Sequence, residues 1–243
     1  MSAGQAGVRR HAHIDLAAVL ENLRAASASP SDLTADLRAD AYGHGLIPVA
    51  RALSDAGVGG FVVSRVEDAA ALADAGIRPA TVVSTTPGAP RTGSGSRTIG
   101  PRLLGLDPAH PGRPALRLTA EVIAVKHVGP DRGVSYGYTY RTTKPTTLAL
   151  VALGFADGIP RVASNKAPVR VADVIGRVSG RIAMDQFVVD LDGGQASPGD
   201  VVVLFGDPAR GEPSVLDWAD AIGIAAPVIT TRLGRRIERV YSA

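Results

Sequence analysis

The sequence predicts an α/β N-terminal part built from parallel βα units, followed by an all-β C-terminal domain. In the first third of the chain, short apolar runs alternate with helical patterns, which is typical of βα units around a parallel sheet. Residues 88–114 are dense in Gly, Pro and Ser, which indicates a linker. After the linker, apolar runs are separated by turn residues without helical patterns. We therefore divide the chain into a barrel-like domain (1–87), a linker (88–114) and a β-domain (115–243).

Apolar spacing and helix-ending residues place the elements of the first domain. A first strand is predicted from Ala12 to Leu16, and it could join the β-domain. The runs "DLTADLRA" and "GGFVVSRV" predict two further strands, each followed by a helix, and Gly76 ends the second of these helices. The run "ATVVSTTP" predicts a fourth strand that ends at Pro87.

Seven apolar segments predict the strands of the second domain. In one of them, "GVSYGYTY", the residues Tyr136, Tyr138 and Tyr140 alternate, which predicts cross-strand packing on one face. A helix is predicted at "PSVLDWADAIG", because Ser214 and Asp217 have the spacing of a capping box.

Composition limits the classes of function. The chain has 243 residues, 45% of them hydrophobic, no cysteine and a formal net charge of +3. The absence of cysteine excludes disulfides and thiolate metal sites, and the histidines lack a persuasive ligand spacing, so no metal is expected. The arginines are scattered among carboxylates, so nucleic acid is not an expected partner. No apolar run approaches the roughly 20 residues of a membrane helix, so we expect a cytoplasmic protein that binds no membrane.

Five ordered motifs carry a resemblance to a known family. They are "ADAYGHG", "VSYGYTY", "GFADGIPR", "GRIAMDQFVVDL" and "TRLGRRIERVY", and with them the chain resembles the alanine racemase family. The resemblance implies a pyridoxal-phosphate enzyme with an N-terminal α/β barrel and a C-terminal β-domain. A complete barrel occupies roughly 250 residues, whereas 114 residues precede the β-domain here. We therefore predict an incomplete TIM-like barrel, whose bare edges favour a homodimer.

Three positions depart from what the resemblance implies. Arg38 stands where the family has the lysine that forms the Schiff base, and a guanidinium stays protonated and is not a nucleophile. Phe155 stands where the family has a catalytic tyrosine, and Pro227 where it has a phosphate-binding one. From these departures we expect no cofactor and no conventional racemisation.

The main hypothesis is therefore a cofactor-independent isomerase, cyclase or lyase that acts on an anionic or carboxylate-bearing small molecule. In this hypothesis, Arg38 binds the anionic group of the substrate. Side chains in the corner after the second strand and in loops of the β-domain transfer protons. The candidate catalytic residues are Arg38, Tyr42, His44, Asp157 and Asp185, and the candidate substrate-binding residues are Tyr136, Phe155 and Met184.

Each candidate also has a structural interpretation. Arg38 could pair with Asp157 or Asp185 instead of a ligand, and Asp40 could cap the following turn. At the level of function, one alternative is a non-catalytic pseudoenzyme that binds a small molecule or a partner protein. The other is a pyridoxal-phosphate-dependent racemase with an unrecognised lysine.

Overall fold

Contacts between residues divide the described part of the chain into a β unit and a βα unit. The computed structural model describes residues 8–77, 80–82 and 97–243. The β unit contains the described residues up to His13 together with Arg117–Ala225 and Arg232–Val240, and the βα unit contains Ile14–Leu116, Ala226–Thr231 and Tyr241–Ala243.

The elements follow the order of the sequence. The strands are β1 (His11–Asp15), β2 (Leu33–Asp36), β3 (Gly60–Val63), β4 (Ala80–Val82), β5 (Arg97–Ile99), β6 (Leu116–Val128), β7 (Gly133–Val134), β8 (Tyr140–Arg141), β9 (Thr146–Val151), β10 (Pro168–Val171), β11 (Val174–Arg177), β12 (Phe187–Asp190), β13 (Val201–Phe205) and β14 (Glu238–Ser242). The helices are α1 (Leu16–Ala26), α2 (Leu46–Asp55), α3 (Val66–Asp74), α4 (Val215–Ile222) and α5 (Ala226–Thr231).

The sheet of the βα unit is parallel and has the strand order β4-β3-β2-β5. Every residue of β3 is buried, as expected for a parallel strand covered on both faces. A closed barrel of this type has eight strands, so the four strands in the described part of the chain form an incomplete barrel, and the predicted fold class is confirmed. The predicted strand "ATVVSTTP" is described only over β4, since its remainder, Pro87 and linker residues 88–96 lie outside the described residues.

The helices of the βα unit begin and end where the sequence indicates. The side chain of Asp15 accepts a hydrogen bond from the backbone N–H of Ala18 and caps α1. Helix α1 then buries Val19 and Leu23. Gly76 follows α3 with φ of +75°, which confirms its predicted role as a helix-ending residue.

The β unit is built on a sheet with the strand order β11-β10-β13-β6-β1-β14, and β9 joins β6 to β12. The pairs β10–β11, β10–β13, β13–β6, β6–β9 and β9–β12 are antiparallel. Helix α4 covers part of this sheet through the fully buried Trp218, whose ring packs edge-on against Phe205 at 5.7 Å. The indole N–H of Trp218 donates to the carbonyl of Pro168 at 2.7 Å. The capping box of α4 is present as predicted, with Ser214 and Asp217 bonding each other's backbone N–H groups.

One predicted strand is wrong in its centre. Tyr136–Tyr138 forms a 3₁₀ turn between β7 and β8, and Tyr136 and Tyr138 are 72% and 66% exposed. The alternating tyrosines therefore do not line one strand face, because Ser135, Gly137 and Tyr138 have positive φ and turn the chain. Only Tyr140 lies in a strand, and its hydroxyl donates to Asp190 at 2.8 Å. Burial and this hydrogen bond raise the pKa of Tyr140 to about 12.

The capping box predicts a measurable stability effect. We expect Ser214→Ala to lower the free energy of unfolding by about 1 kcal/mol, because the N–H of Asp217 loses its acceptor. Chemical denaturation followed by circular dichroism measures the change. The matched control is Ser197→Ala, which removes an exposed hydroxyl in a loop; equal losses in both variants would contradict the capping role.

Candidate functional site

The corner after β2 has a strained backbone. The residues Ala39, Asp40, Ala41 and Tyr42 have φ between 50° and 57°, so four consecutive non-glycine residues are left-handed. This conformation costs roughly 1–2 kcal/mol per residue. Strain of this kind persists only where surrounding contacts hold it, and it concentrates at functional sites. The backbone therefore marks "RADAYGHG" as the candidate site of the βα unit.

Two contacts hold this strained corner in place. The carboxylate of Asp40 accepts a hydrogen bond from the N–H of Leu46 at 2.7 Å, which confirms the predicted capping role. Gly43 lies against α5, where a Cβ atom would stand only 2.2 Å from the carbonyl oxygen of Thr230. Only glycine fits this approach, so α5 and the corner fix each other.

Arg38 and Tyr42 converge on one carboxylate, that of Asp36. Nε of Arg38 donates to Oδ1 at 2.9 Å, its Nη2 donates to Oδ2 at 2.6 Å, and the hydroxyl of Tyr42 donates to Oδ2 at 2.8 Å. Asp36 is 6% exposed, whereas the side chain of Arg38 is 51% exposed. The predicted pairing of Arg38 with Asp157 or Asp185 is wrong, since its carboxylate partner is Asp36.

These contacts set the charges of the corner. Burial raises the pKa of Asp36, but the hydrogen bonds from Arg38 and Tyr42 outweigh burial and lower it. The hydrogen bond to Asp36 raises the pKa of Arg38, and burial together with Asp36 raises the pKa of Tyr42. At neutral pH the corner therefore holds an aspartate, a guanidinium and a protonated phenol, and Tyr42 acts as a hydrogen-bond donor.

His44 lies under the corner and is fully buried. Its Nδ1 stands 3.1 Å from the carbonyl oxygen of Tyr42, so a proton on Nδ1 closes the turn. This contact gives His44 a structural role in holding the turn. It does not test the predicted catalytic role.

The carboxylates predicted from the β-domain meet at one arginine that the sequence did not indicate. Nε of Arg236 donates to Asp157 at 2.9 Å, and its Nη1 donates to Asp185 at 2.7 Å. Asp157 is fully buried and also accepts the N–H of Gly154 at 2.9 Å, so it holds the turn that begins at Gly154. Arg236 thus neutralises both carboxylates in this loop cluster.

The predicted substrate-binding residues all lie at the surface of the β unit. Tyr136, Met184 and Phe155 are 72%, 57% and 39% exposed. The guanidinium carbon of Arg161 lies 5.5 Å from the centre of the Phe155 ring, which is a cation–π contact. The contact between Arg161 and Phe155 was not predicted, because Arg161 is one of many arginines scattered along the sequence.

The described residues were searched for metal sites and for membrane-spanning helices. Over 8–77, 80–82 and 97–243, no group of three or more His, Asp or Glu side chains could hold a metal ion. His11 and His13 instead contact each other edge to face at 5.5 Å. In the same ranges no helix is long and apolar enough to cross a membrane.

A parallel βα sheet followed by a β-domain defines a two-domain class of protein. In parallel βα folds the carboxyl ends of the strands are where ligands bind, and the polar corner after β2 lies at such an end. The sequence profile "Alanine racemase, C-terminal domain" matches residues 115–241, and "Alanine racemase, N-terminal domain" matches residues 14–92. The chain belongs to the alanine racemase family.

Curated relatives support this membership over a limited stretch. The chain is 50% identical over 130 residues to an alanine racemase of Thermobifida fusca, covering 54% of this chain and 35% of the relative. It is 53% identical over 129 residues to an alanine racemase of Beutenbergia cavernae, covering 53% and 34%. The matched segment thus spans about a third of the length of these relatives.

Solved structures of the family have the same fold. An alanine racemase from Streptomyces lavendulae superposes with a TM-score of 0.86 at 28% identity, covering 98% of both chains. One from Streptomyces coelicolor gives a TM-score of 0.82 at 30% identity, covering 96% of this chain and 98% of that one.

The relatives correct the main functional hypothesis. The expectation of a cofactor-independent isomerase, cyclase or lyase is wrong, because the relatives at 50% and 53% identity are alanine racemases. The pseudoenzyme interpretation and the expectation of no cofactor are overturned by the same finding. The relatives favour the alternative, a pyridoxal-phosphate-dependent racemase.

Asp36 is expected to stabilise the corner in a pH-dependent way. Since its folded pKa is lowered, its contribution is present above the unfolded value of about 3.9 and is lost as the pH falls through the folded pKa. We expect Asp36→Asn to reduce the free energy of unfolding at pH 7 by about 1–3 kcal/mol, because Arg38 loses a charged acceptor. Urea denaturation at pH 7 and at about pH 3 measures it, and the difference from wild type should shrink in acid.

Asp55→Asn is the matched control for this substitution. Asp55 is exposed at the end of α2, so its replacement should change the stability by no more than about 0.5 kcal/mol. A pH-independent difference between wild type and Asp36→Asn would contradict the charged pair.

Proposed function

We propose that the protein acts on a small amino acid as a racemase of the alanine racemase family. The observation that carries the proposal is the match of the β-domain, residues 115–241, to that family. The chain is also 50% identical over 130 residues to a relative named alanine racemase. The strained corner of the βα unit supports it, because costly backbone geometry is retained after β2.

Arg38 supports an amino-acid substrate. Its side chain is half exposed, although its Nε and Nη2 donate hydrogen bonds to the carboxylate of Asp36. A guanidinium oriented in this way presents a planar donor group to a substrate carboxylate. Asp36 would act as a positioning residue, and Tyr42 would stiffen the pair through its hydroxyl.

Two residues of this chain, Arg38 and Pro227, differ from those that the resemblance implies for the coenzyme of the family. The resemblance implies pyridoxal phosphate held by an imine to lysine, and Arg38 at that position stays a cation because Asp36 raises its pKa. All three lysines of the chain, Lys126, Lys144 and Lys166, belong to the β unit. Pro227 in α5 also lacks the hydroxyl that the resemblance implies for the phosphate. The residues at the corner therefore do not fit a coenzyme tethered at position 38.

The finer proposal for assembly is a homodimer. Among the described residues, β4 and β5 each pair on one side only within the parallel sheet. Parallel sheet edges with apolar faces are rarely left in water, and a second copy of the chain would cover them.

A racemisation assay tests the proposed function. The purified full chain is incubated with L-alanine, with and without added pyridoxal phosphate, and D-alanine is measured by chiral chromatography. We expect D-alanine above the uncatalysed level, and we expect Arg38→Lys to raise turnover about a hundredfold or more, because an amine can transfer a proton where a guanidinium cannot.

Arg24→Lys is the matched control, since it makes the same exchange on the exposed surface of α1 and should leave turnover unchanged. An absence of D-alanine from both the wild type and Arg38→Lys, at any coenzyme concentration, would rule out the proposed racemase.

A further inference from the structure

A pocket of about 590 Å³ opens on the β unit beside the "GFADGIPR" motif. Apolar side chains, those of Phe155, Ile159, Val162 and Ile224, form one part of its wall, and two arginines, Arg161 and Arg232, form a polar part. Ile159 is buried, whereas Phe155 and Val162 are 39% and 42% exposed. The pocket thus combines a partly exposed apolar surface with two cations.

The two arginines have not been neutralised by carboxylates. In the part of the chain that the structure describes, neither Arg161 nor Arg232 forms an ion pair. Among the residues that the structure describes, no acidic side chain lines the pocket. Arg161 instead lies over the ring of Phe155 at 5.5 Å, which orients its guanidinium at the pocket wall. Positive charge is therefore available to a ligand.

The pocket is built on a rigid support. Gly158 has φ of +100°, and a Cβ atom there would stand 1.9 Å from the carbonyl oxygen of Arg232, so the two lining segments touch through their backbones. The N–H of Gly234 donates to the carbonyl of Asp157 at 2.8 Å. The buried carboxylate of Asp157 binds Gly154 and Arg236. Both arginines thus extend from fixed positions, which lowers the entropy cost of binding.

We propose that this pocket binds an organic carboxylate with an apolar body. A planar guanidinium binds a carboxylate through paired N–H donors, and the apolar wall removes the body of the ligand from water. The volume lies within the range of about 300–1,000 Å³ typical of ligand sites and exceeds the needs of a ligand as small as alanine. The proposal rests on the β unit alone and is independent of the proposed racemase activity.

The affinities of three small probe molecules for the full chain, measured by isothermal titration calorimetry, test the ligand class. Benzoate carries both features, benzamide lacks the charge, and acetate lacks the apolar body. We expect benzoate to bind at least about tenfold more tightly than either of the others. Benzamide binding as tightly as benzoate would overturn the role of the arginines, and acetate doing so would overturn that of the apolar wall.

Two substitutions locate the site. We expect Arg161→Gln and Arg232→Gln each to weaken benzoate binding about tenfold, with unchanged thermal unfolding, because both side chains are exposed. Arg132→Gln is the matched control, since it removes an exposed arginine of the same unit away from the pocket. Benzoate affinity that is equal in all three variants and the wild type would overturn the proposal, whatever the probe series shows.

Discussion

The candidate site of the βα unit depends on the burial of one charge, the carboxylate of Asp36. A buried carboxylate is costly unless hydrogen bonds and an opposite charge compensate it. Here Arg38 and Tyr42 provide both, at 2.6–2.9 Å. Tyr42 can reach Asp36 because the backbone between them is left-handed, and Gly43 allows α5 to hold that conformation.

This interaction also explains the conflict between family membership and the residue at position 38. An arginine beside Asp36 is stabilised as a cation, so the two residues form a stable pair of opposite charges. The same pair opposes imine chemistry, because a nucleophile must be able to lose its proton. The alanine racemase framework is therefore retained around a corner whose central side chain has different chemistry.

Short sequence patterns predicted correctly the features that depend only on residues close together in the chain, such as helix caps and helix ends. Ser214 with Asp217, Gly76 and Asp40 each act through a contact a few residues away, and each was placed correctly. Contacts that depend on the folded chain were missed. Arg236 is 79 residues from Asp157, and no spacing rule connects them. The pairing of Asp36 with Arg38 was missed for another reason. Strand β2 ends at Asp36 and the chain then turns, so the alternation of side chains along a regular strand does not predict where Arg38 points.

The strand order explains how a corner of this kind survives in an incomplete barrel. In the parallel sheet, β2 lies between β3 and β5, although β5 follows β4 along the chain. Both hydrogen-bonded neighbours of the strand that carries Asp36 are therefore present, and the N–H of Leu37 still bonds the carbonyl of Val62 on β3 at 2.9 Å. Among the described residues, the unpaired edges are that of β4 and the side of β5 that faces away from β2. Because backbone geometry at a strand end is set by its immediate neighbours, closure of the barrel is not required to hold the corner.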